Sequence, residues 1–238
     1  KKINVYSHNL YVKSLYNQAY CYMNLNDYNM SLKKFNHVTE QTDDNQLLYD
    51  SYLRIADCYF ALMNYQSSAA TYGKALLLSG FEDDYASYKK STSYVLLEDY
   101  HSAIRSFHEL INDFPKSNYV DNATFDLGNV YILSKNYDLA VQTFIDLINK
   151  FSNSVFYSES KLKLGLVYYM QKEDEMAIDI LHDLIEEFPN THTSQEALHI
   201  IKNIYNELGQ VNKFLDLIKS VDHNYTTAEL DSSAYSSS

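Results

Sequence analysis

A two-residue break recurs along this chain at a nearly constant interval. It reads Asp27-Tyr28, Asn64-Tyr65, Asp99-Tyr100 and Asn136-Tyr137, and continues more loosely as Glu173-Asp174 and Gly209-Gln210. The second members stand at 28, 65, 100, 137, 174 and 210, in steps of 37, 35, 37, 37 and 36. Such a period marks one small supersecondary unit copied along the chain, in which each copy must stack on its neighbours to bury its apolar faces. Nine residues before each second member stand Ala19, Ala56, Ser91, Gly128, Gly165 and Ile201. Three residues further on come Tyr22, Tyr59, Tyr94, Tyr131 and Tyr168, with Ile204 closing the series. Beyond the break follow Ser31, Ser68, Ala103, Ala140 and Ala177, with Lys213 in the sixth copy; then come Phe35, Tyr72, Phe107, Phe144 and Leu181.

Both halves of each copy read as helix. Phe125, Leu127, Val130, Tyr131 and Leu133 precede one break at helical spacing, and Leu139, Val141, Phe144, Ile145, Leu147 and Ile148 follow it. Three copies end in Phe114-Pro115-Lys116-Ser117, Phe151-Ser152-Asn153-Ser154 and Phe188-Pro189-Asn190-Thr191. Proline there cannot continue a helix, and the Ser or Thr beside it is placed to cap the next one. Thr193-Ser194-Gln195-Glu196 has the spacing of a capping box. Glycine inside a helix costs about 1 kcal/mol relative to alanine, so Gly128 and Gly165 imply close approach of a partner helix. The series from Phe35 to Leu181 is expected in the core, and the repeated tyrosines are expected to pack.

Composition narrows the class further. Two prolines and five glycines in 238 residues are too few for a fold built on many tight turns. The formal charge of −12 and the absence of a lysine stripe oppose nucleic acid and anionic lipid as partners. No apolar run reaches the roughly 18 to 20 residues of a membrane span, so direct membrane insertion is not expected.

The Leu-Gly, Tyr, turn, Ala, Phe and Pro series resembles the tetratricopeptide repeat, most densely around Leu127-Gly128 and Leu164-Gly165. The longer copies and the Phe-Pro endings are similar to bacterial cell-envelope repeat proteins of the YbgF/CpoB and BamD types. The resemblance implies an all-α, right-handed α-solenoid of about six helix-turn-helix repeats, with no catalytic activity and no cofactor. The repeats are expected near residues 12–48, 49–83, 84–120, 121–157, 158–193 and 194–222. Residues 1–11 then read as the end of a preceding helix, with Ile3 to Leu10 as its remnant. Residues 223–238 read as a tail or the start of a further repeat, and the chain as an excerpt of a longer array. The sixth copy, which lacks the small residue and the alanine, is expected to pack differently.

The resemblance further implies that the first helix of each pair lines a concave face that holds a protein or peptide. Mapped by register, that face carries Tyr16, Tyr20 and Met23, then Leu53, Asp57 and Phe60, then Tyr88, Thr92 and Val95. Phe125, Asn129 and Ile132 follow, then Leu162, Leu166 and Tyr169, and finally Leu198, Lys202 and Tyr205. An apolar and aromatic track of this kind marks an interaction site, unless winding of the superhelix buries part of it. The Lys/Asn/Asn/Lys/Arg set with which some relatives clamp a terminal carboxylate is missing, since the matching positions offer Tyr16, Tyr20 and Arg54. The alternative function is self-association within an envelope assembly. The envelope resemblance favours the periplasm over the cytoplasm.

No constellation supports catalysis. Cys21 and Cys58 stand one repeat step of 37 apart. Equivalent atoms of stacked helices lie about 8 to 10 Å apart, beyond the roughly 7 Å between Cα atoms that a disulfide spans. Both therefore read as small buried hydrophobes. The eight histidines show no metal-ligand spacing, and His101 and His108 share a helix face without further donors. Asp43-Asp44, Glu82-Asp83-Asp84 and Glu173-Asp174-Glu175 fall at turns or helix starts, where the helix dipole favours acidic groups.

Overall fold

The computed structural model describes residues 5–79 and 81–221. All regular structure among these residues is helical, in twelve helices. In chain order they are α1 (Val5–Asn24), α2 (Tyr28–Gln41), α3 (Asn45–Ala61), α4 (Tyr65–Leu76), α5 (Asp83–Leu96) and α6 (Tyr100–Asp113). The remainder are α7 (Val120–Leu133), α8 (Tyr137–Lys150), α9 (Tyr157–Met170), α10 (Asp174–Glu187), α11 (His192–Glu207) and α12 (Val211–Val221). The chain divides into two compact units, residues 1–134 and 135–238, with the division between α7 and α8.

The recurring break has a local cause. Each first helix ends in a residue with left-handed backbone: Asn26, Met63, Glu98, Lys135, Lys172 and Gly209, all with φ between 58° and 67°. The following residue turns its N–H back onto a helix carbonyl. Asp27, Asn64, Asp99, Glu173 and Gln210 donate to Tyr22, Tyr59, Tyr94, Tyr168 and Tyr205 at 2.8–3.0 Å. The same Asp or Asn then caps the next helix: Asp27, Asn64 and Asp99 accept from the amides of Met30, Ser67 and Ser102 at 3.1–3.2 Å. One residue thus satisfies both helix ends.

This geometry corrects the register of the sixth repeat. Gly209 occupies the left-handed position and Gln210 bonds back to Tyr205, so Tyr205, not Ile204, continues the tyrosine series. The sequence shows no Asx-Tyr pair there, which hides a shift of one residue. Lys202 then stands at the small-residue position and Phe214 at the alanine position. Phe214 is buried with Ile201, Leu181, Leu184 and Ile185, and this larger side chain is how the sixth repeat departs from the others.

Three further expectations are revised. Residues 5–10 are the opening turns of α1 itself, not the end of a separate helix. The capping box at α11 joins Thr191 and Ser194, whose amide and hydroxyl bonds are 3.2 and 3.0 Å; it does not involve Thr193 and Glu196. Ser117 and Ser154 accept from the amides of Tyr119 and Phe156, closing the turn before the helix instead of capping it. The tail 223–238 lies outside the described residues.

The repeated core positions do what their spacing requires. Phe35, Tyr72, Phe107, Phe144 and Leu181 are fully buried. Ser31 and Ser68 donate to the carbonyls of Ala19 and Ala56 at 3.0 Å, so hydroxyls meet first-helix backbone where a larger side chain would separate the helices. Gly128 is buried in α7. At Gly165 a Cβ would lie 2.4 Å from Leu181 Cγ. Of the cysteines, Cys58 is buried, its thiol 3.4 Å from Ser31 Oγ, whereas Cys21 is exposed and not the buried hydrophobe its position suggested. The repeated tyrosines pack as half-buried side chains, with Tyr131 buried.

Candidate functional site

In the unit formed by α1–α7, the first helices bring their mapped positions onto one track, but the track is not uniformly available. Leu53 is fully buried beside Tyr49, Ala56 and Tyr72, so it belongs to the core and not to a binding surface. Tyr16 and Tyr20 are half-buried edge-to-face, ring centroids 5.0 Å apart, and both pack on Phe35. Their hydroxyls donate to Asp50 at 2.5 and 3.1 Å. Met23 packs against Ala19, Phe35 and Ile55.

Arg54 organises the polar part. Its guanidinium reaches Asp50 at 3.1 Å, Asp57 at 2.9 Å and Glu82 at 2.9 Å, while Nε donates to the Tyr20 hydroxyl at 2.7 Å. Asp57 also accepts from Tyr72 and Tyr85 at 2.6 and 2.7 Å. Burial and the adjacent carboxylate push the Tyr72 and Tyr85 phenols well above their ordinary pKa, so they remain donors. Tyr16, Tyr20 and Asp57 are thus committed to an internal network spanning α1, α3, α4 and α5.

Further along the unit, Tyr88 stacks on Tyr119 with centroids 5.2 Å apart and donates to Asp126 at 2.8 Å. Burial raises the Asp126 pKa, partly opposed by that hydrogen bond. Thr92 donates to the Tyr88 carbonyl at 3.0 Å. Phe60, Thr92, Val95, Phe125, Asn129 and Ile132 are half-buried.

Lys89, absent from the track read off the sequence, lies one residue beyond Tyr88. Its ammonium sits 3.5 Å from the Phe60 ring centroid. Burial lowers its pKa, with Asp57 opposing the shift. Among the described residues no hydrogen bond or ion pair reaches the ammonium, in contrast to the thrice-paired Arg54. Arg54 and Lys89 hold the same position in successive repeats, and that recurrence of a basic residue was the available signal.

In the unit formed by α8–α12, Leu162 is core, packed with Leu181 and Ala197, and is likewise removed from the track. Leu166 is half-buried. Tyr169 donates to Glu207, which also pairs with Lys172 at 3.0 Å. Leu198 and Tyr205 pack on the buried cluster, and Lys202 is half-buried. With the corrected register the equivalents of Leu162, Leu166 and Tyr169 are His199, Asn203 and Asn206, so the last turn of the track is polar.

The acidic clusters act at helix starts as expected: Asp44 caps α3 through the Gln46 and Leu47 amides, and Asp174 and Glu175 open α10. His108 Nε2 lies 2.9 Å from the Tyr131 hydroxyl. One group among the described residues, His182, Asp183 and Glu186, places three donor atoms within 4.8 Å, but on one solvent-facing turn of α10 without a buried donor. No described helix is long and apolar enough to cross a membrane.

Stacked helical pairs with this core pattern define a tetratricopeptide-type α-solenoid. Two tetratricopeptide repeat models match the sequence, one at residues 85–117, 123–154 and 159–191 and the other at 12–45, together more than half of the chain. The chain belongs to the tetratricopeptide repeat family, whose fold implies a protein–protein interaction scaffold. Comparison with curated proteins found no match. Among solved structures, a tetratricopeptide repeat protein from Parabacteroides merdae aligns with a TM-score of 0.67 and 18% identity, over 88% of this chain and 78% of that one. YrrB, described as a TPR protein with an unusual peptide-binding site, aligns with a TM-score of 0.62 and 20% identity, over 79% and 90%. MamA from Desulfovibrio magneticus RS-1 aligns with a TM-score of 0.60 and 14% identity, over 74% and 93%. At these identities the likeness is one of fold.

Proposed function

We propose that the chain is a non-catalytic scaffold that holds a protein or peptide segment on the first-helix face of residues 5–134. The observation that carries this reading is the pair Phe60 and Lys89. A half-buried ammonium over an aromatic ring, with no hydrogen-bond acceptor of its own among the described residues, is placed to take one from a bound segment. Phe60, Val95 and Ile132 supply apolar surface on the same mapped face, and Thr92 and Asn129 supply hydrogen-bonding groups. That combination suits an extended segment with apolar side chains and a carbonyl or carboxylate for Lys89. YrrB, which shares the fold, is a precedent for peptide binding by such an array. The Phe-Pro repeat endings support placement within a larger bacterial cell-envelope protein of the YbgF/CpoB or BamD kind.

The test uses variants that leave the internal network alone. Lys89→Met should leave thermal stability unchanged or slightly raised, because a desolvated ammonium is removed, while affinity for the captured segment falls about tenfold, roughly 1.4 kcal/mol. Phe60→Ala should do the same to affinity. Unchanged affinity in both variants would remove this face as the site.

A further inference from the structure

The turns inside the helical pairs of residues 5–134 carry a second surface, which adjoins the first-helix face where Phe60 packs edge-to-face on Tyr65, ring centroids 5.4 Å apart. They comprise residues 24–28, 61–65 and 96–100. Leu25 and Met63 are each 75% exposed, and Leu62 and Leu96 are exposed beside them. Tyr28, Tyr65 and Tyr100, half-buried at the starts of α2, α4 and α6, widen the apolar strip. Asp27, Glu98 and Asp99 are the charges in these turns, which contain no lysine or arginine.

Turn geometry does not require the apolar residues of the first two turns. The fourth and fifth turns make the same left-handed bend with Ser134-Lys135-Asn136 and Gln171-Lys172-Glu173. Leu25, Leu62 and Met63 are therefore exposed where polar residues fulfil the same backbone role, and Leu96, whose counterparts Leu133 and Met170 are likewise exposed, extends the strip.

We infer that this turn edge docks a basic amphipathic helix of a partner protein. Stacked helices place equivalent turns about 10 Å apart. Residues i and i+7 of an α-helix are about 10.5 Å apart along its axis, so successive apolar anchors meet successive turns. Lysine or arginine flanking those anchors faces Asp27, Glu98 and Asp99. The acidic border disfavours an anionic membrane surface, and a chain of net charge −12 disfavours a second copy of itself.

The probe is a synthetic 18-residue helical peptide with leucine along one face and lysine elsewhere, measured by fluorescence anisotropy at physiological salt. Wild-type protein is expected to bind it. Leu25→Ser/Met63→Ser, which keeps the net charge and alters only exposed side chains, is expected to weaken binding at least tenfold with unchanged circular dichroism. Asn129→Ala, on the first-helix face and outside these turns, is expected to bind as wild type, and a peptide with glutamate in place of lysine is expected not to bind. Equal affinity in the double variant, or loss in Asn129→Ala, would overturn the proposal. So would a wild-type dimer by sedimentation that the double variant dissociates, since a second copy would then cover the edge.

Discussion

Arg54 and Asp126 show how single charges on the first-helix face are balanced in different ways. Arg54 neutralises Asp50 and Asp57, both largely shielded, and Glu82, which is half exposed. Removing one partner of a shielded ion network leaves the others uncompensated. Arg54→Ala should therefore cost about 3 kcal/mol in urea unfolding, the low end for such pairs because Glu82 is solvated. Asp126 has Tyr88 as a donor but no cation among the described residues, and burial raises its pKa. A raised folded-state pKa means that the native state holds the proton more tightly than the unfolded chain. The group's contribution is then most favourable below the ordinary carboxylate pKa of about 3.9 and is lost as pH rises through the raised value. Asp126→Asn keeps an acceptor for Tyr88 and removes the buried charge. It should melt higher than wild type at pH 7, with the gap closing below about pH 4; a gap independent of pH would contradict this assignment.

At the scale of the helical pair, the element is held by its turn and by the contact at its small residue. Five of the six left-handed turn positions hold residues with a Cβ. Glycine relieves that strain but adds freedom to the unfolded chain, so Glu98→Gly should gain about 0.5–1 kcal/mol in chemical unfolding. The opposite holds at Gly165. Alanine is the better helix former by about 1 kcal/mol, yet its Cβ would overlap Leu181, and overpacking of this kind costs about 1–3 kcal/mol. Gly165→Ala should therefore lose about 1 kcal/mol, and a gain would show that Leu181 moves aside freely. Both positions explain what the sequence revealed. Small residues, Asx-Tyr pairs and core aromatics are legible because one steric requirement recurs in every copy. The sixth turn was misplaced by one residue because Gly209-Gln210 meets the backbone requirement without the side chains that signal it elsewhere.

For the molecule as a whole, family and fold class followed from that period, whereas the candidate site was legible only in part. Register places a residue on a helix face but says nothing about what lies across from it. Leu53 and Leu162 share the mapped register with Tyr88, yet neighbouring helices bury them. Tyr16, Tyr20 and Asp57 are on the expected face but are occupied by Asp50, Arg54, Tyr72 and Tyr85, pairings that no spacing rule within one repeat contains. Lys89 is distinguished by what it lacks, and that emerges only when every neighbour is in place.

The central claim is that the first-helix face of residues 5–134 receives a protein segment. Its most direct test is site-specific photo-crosslinking of the whole chain, with the probe at Thr92 or Asn129 on that face and, for comparison, at Lys33 or Asn36 on the exposed side of α2. The account predicts that one partner is captured from Thr92 and Asn129, that Lys89→Met diminishes this capture, and that α2 captures none of it. Capture of that partner from Lys33 and Asn36 but not from Thr92 or Asn129 would contradict it.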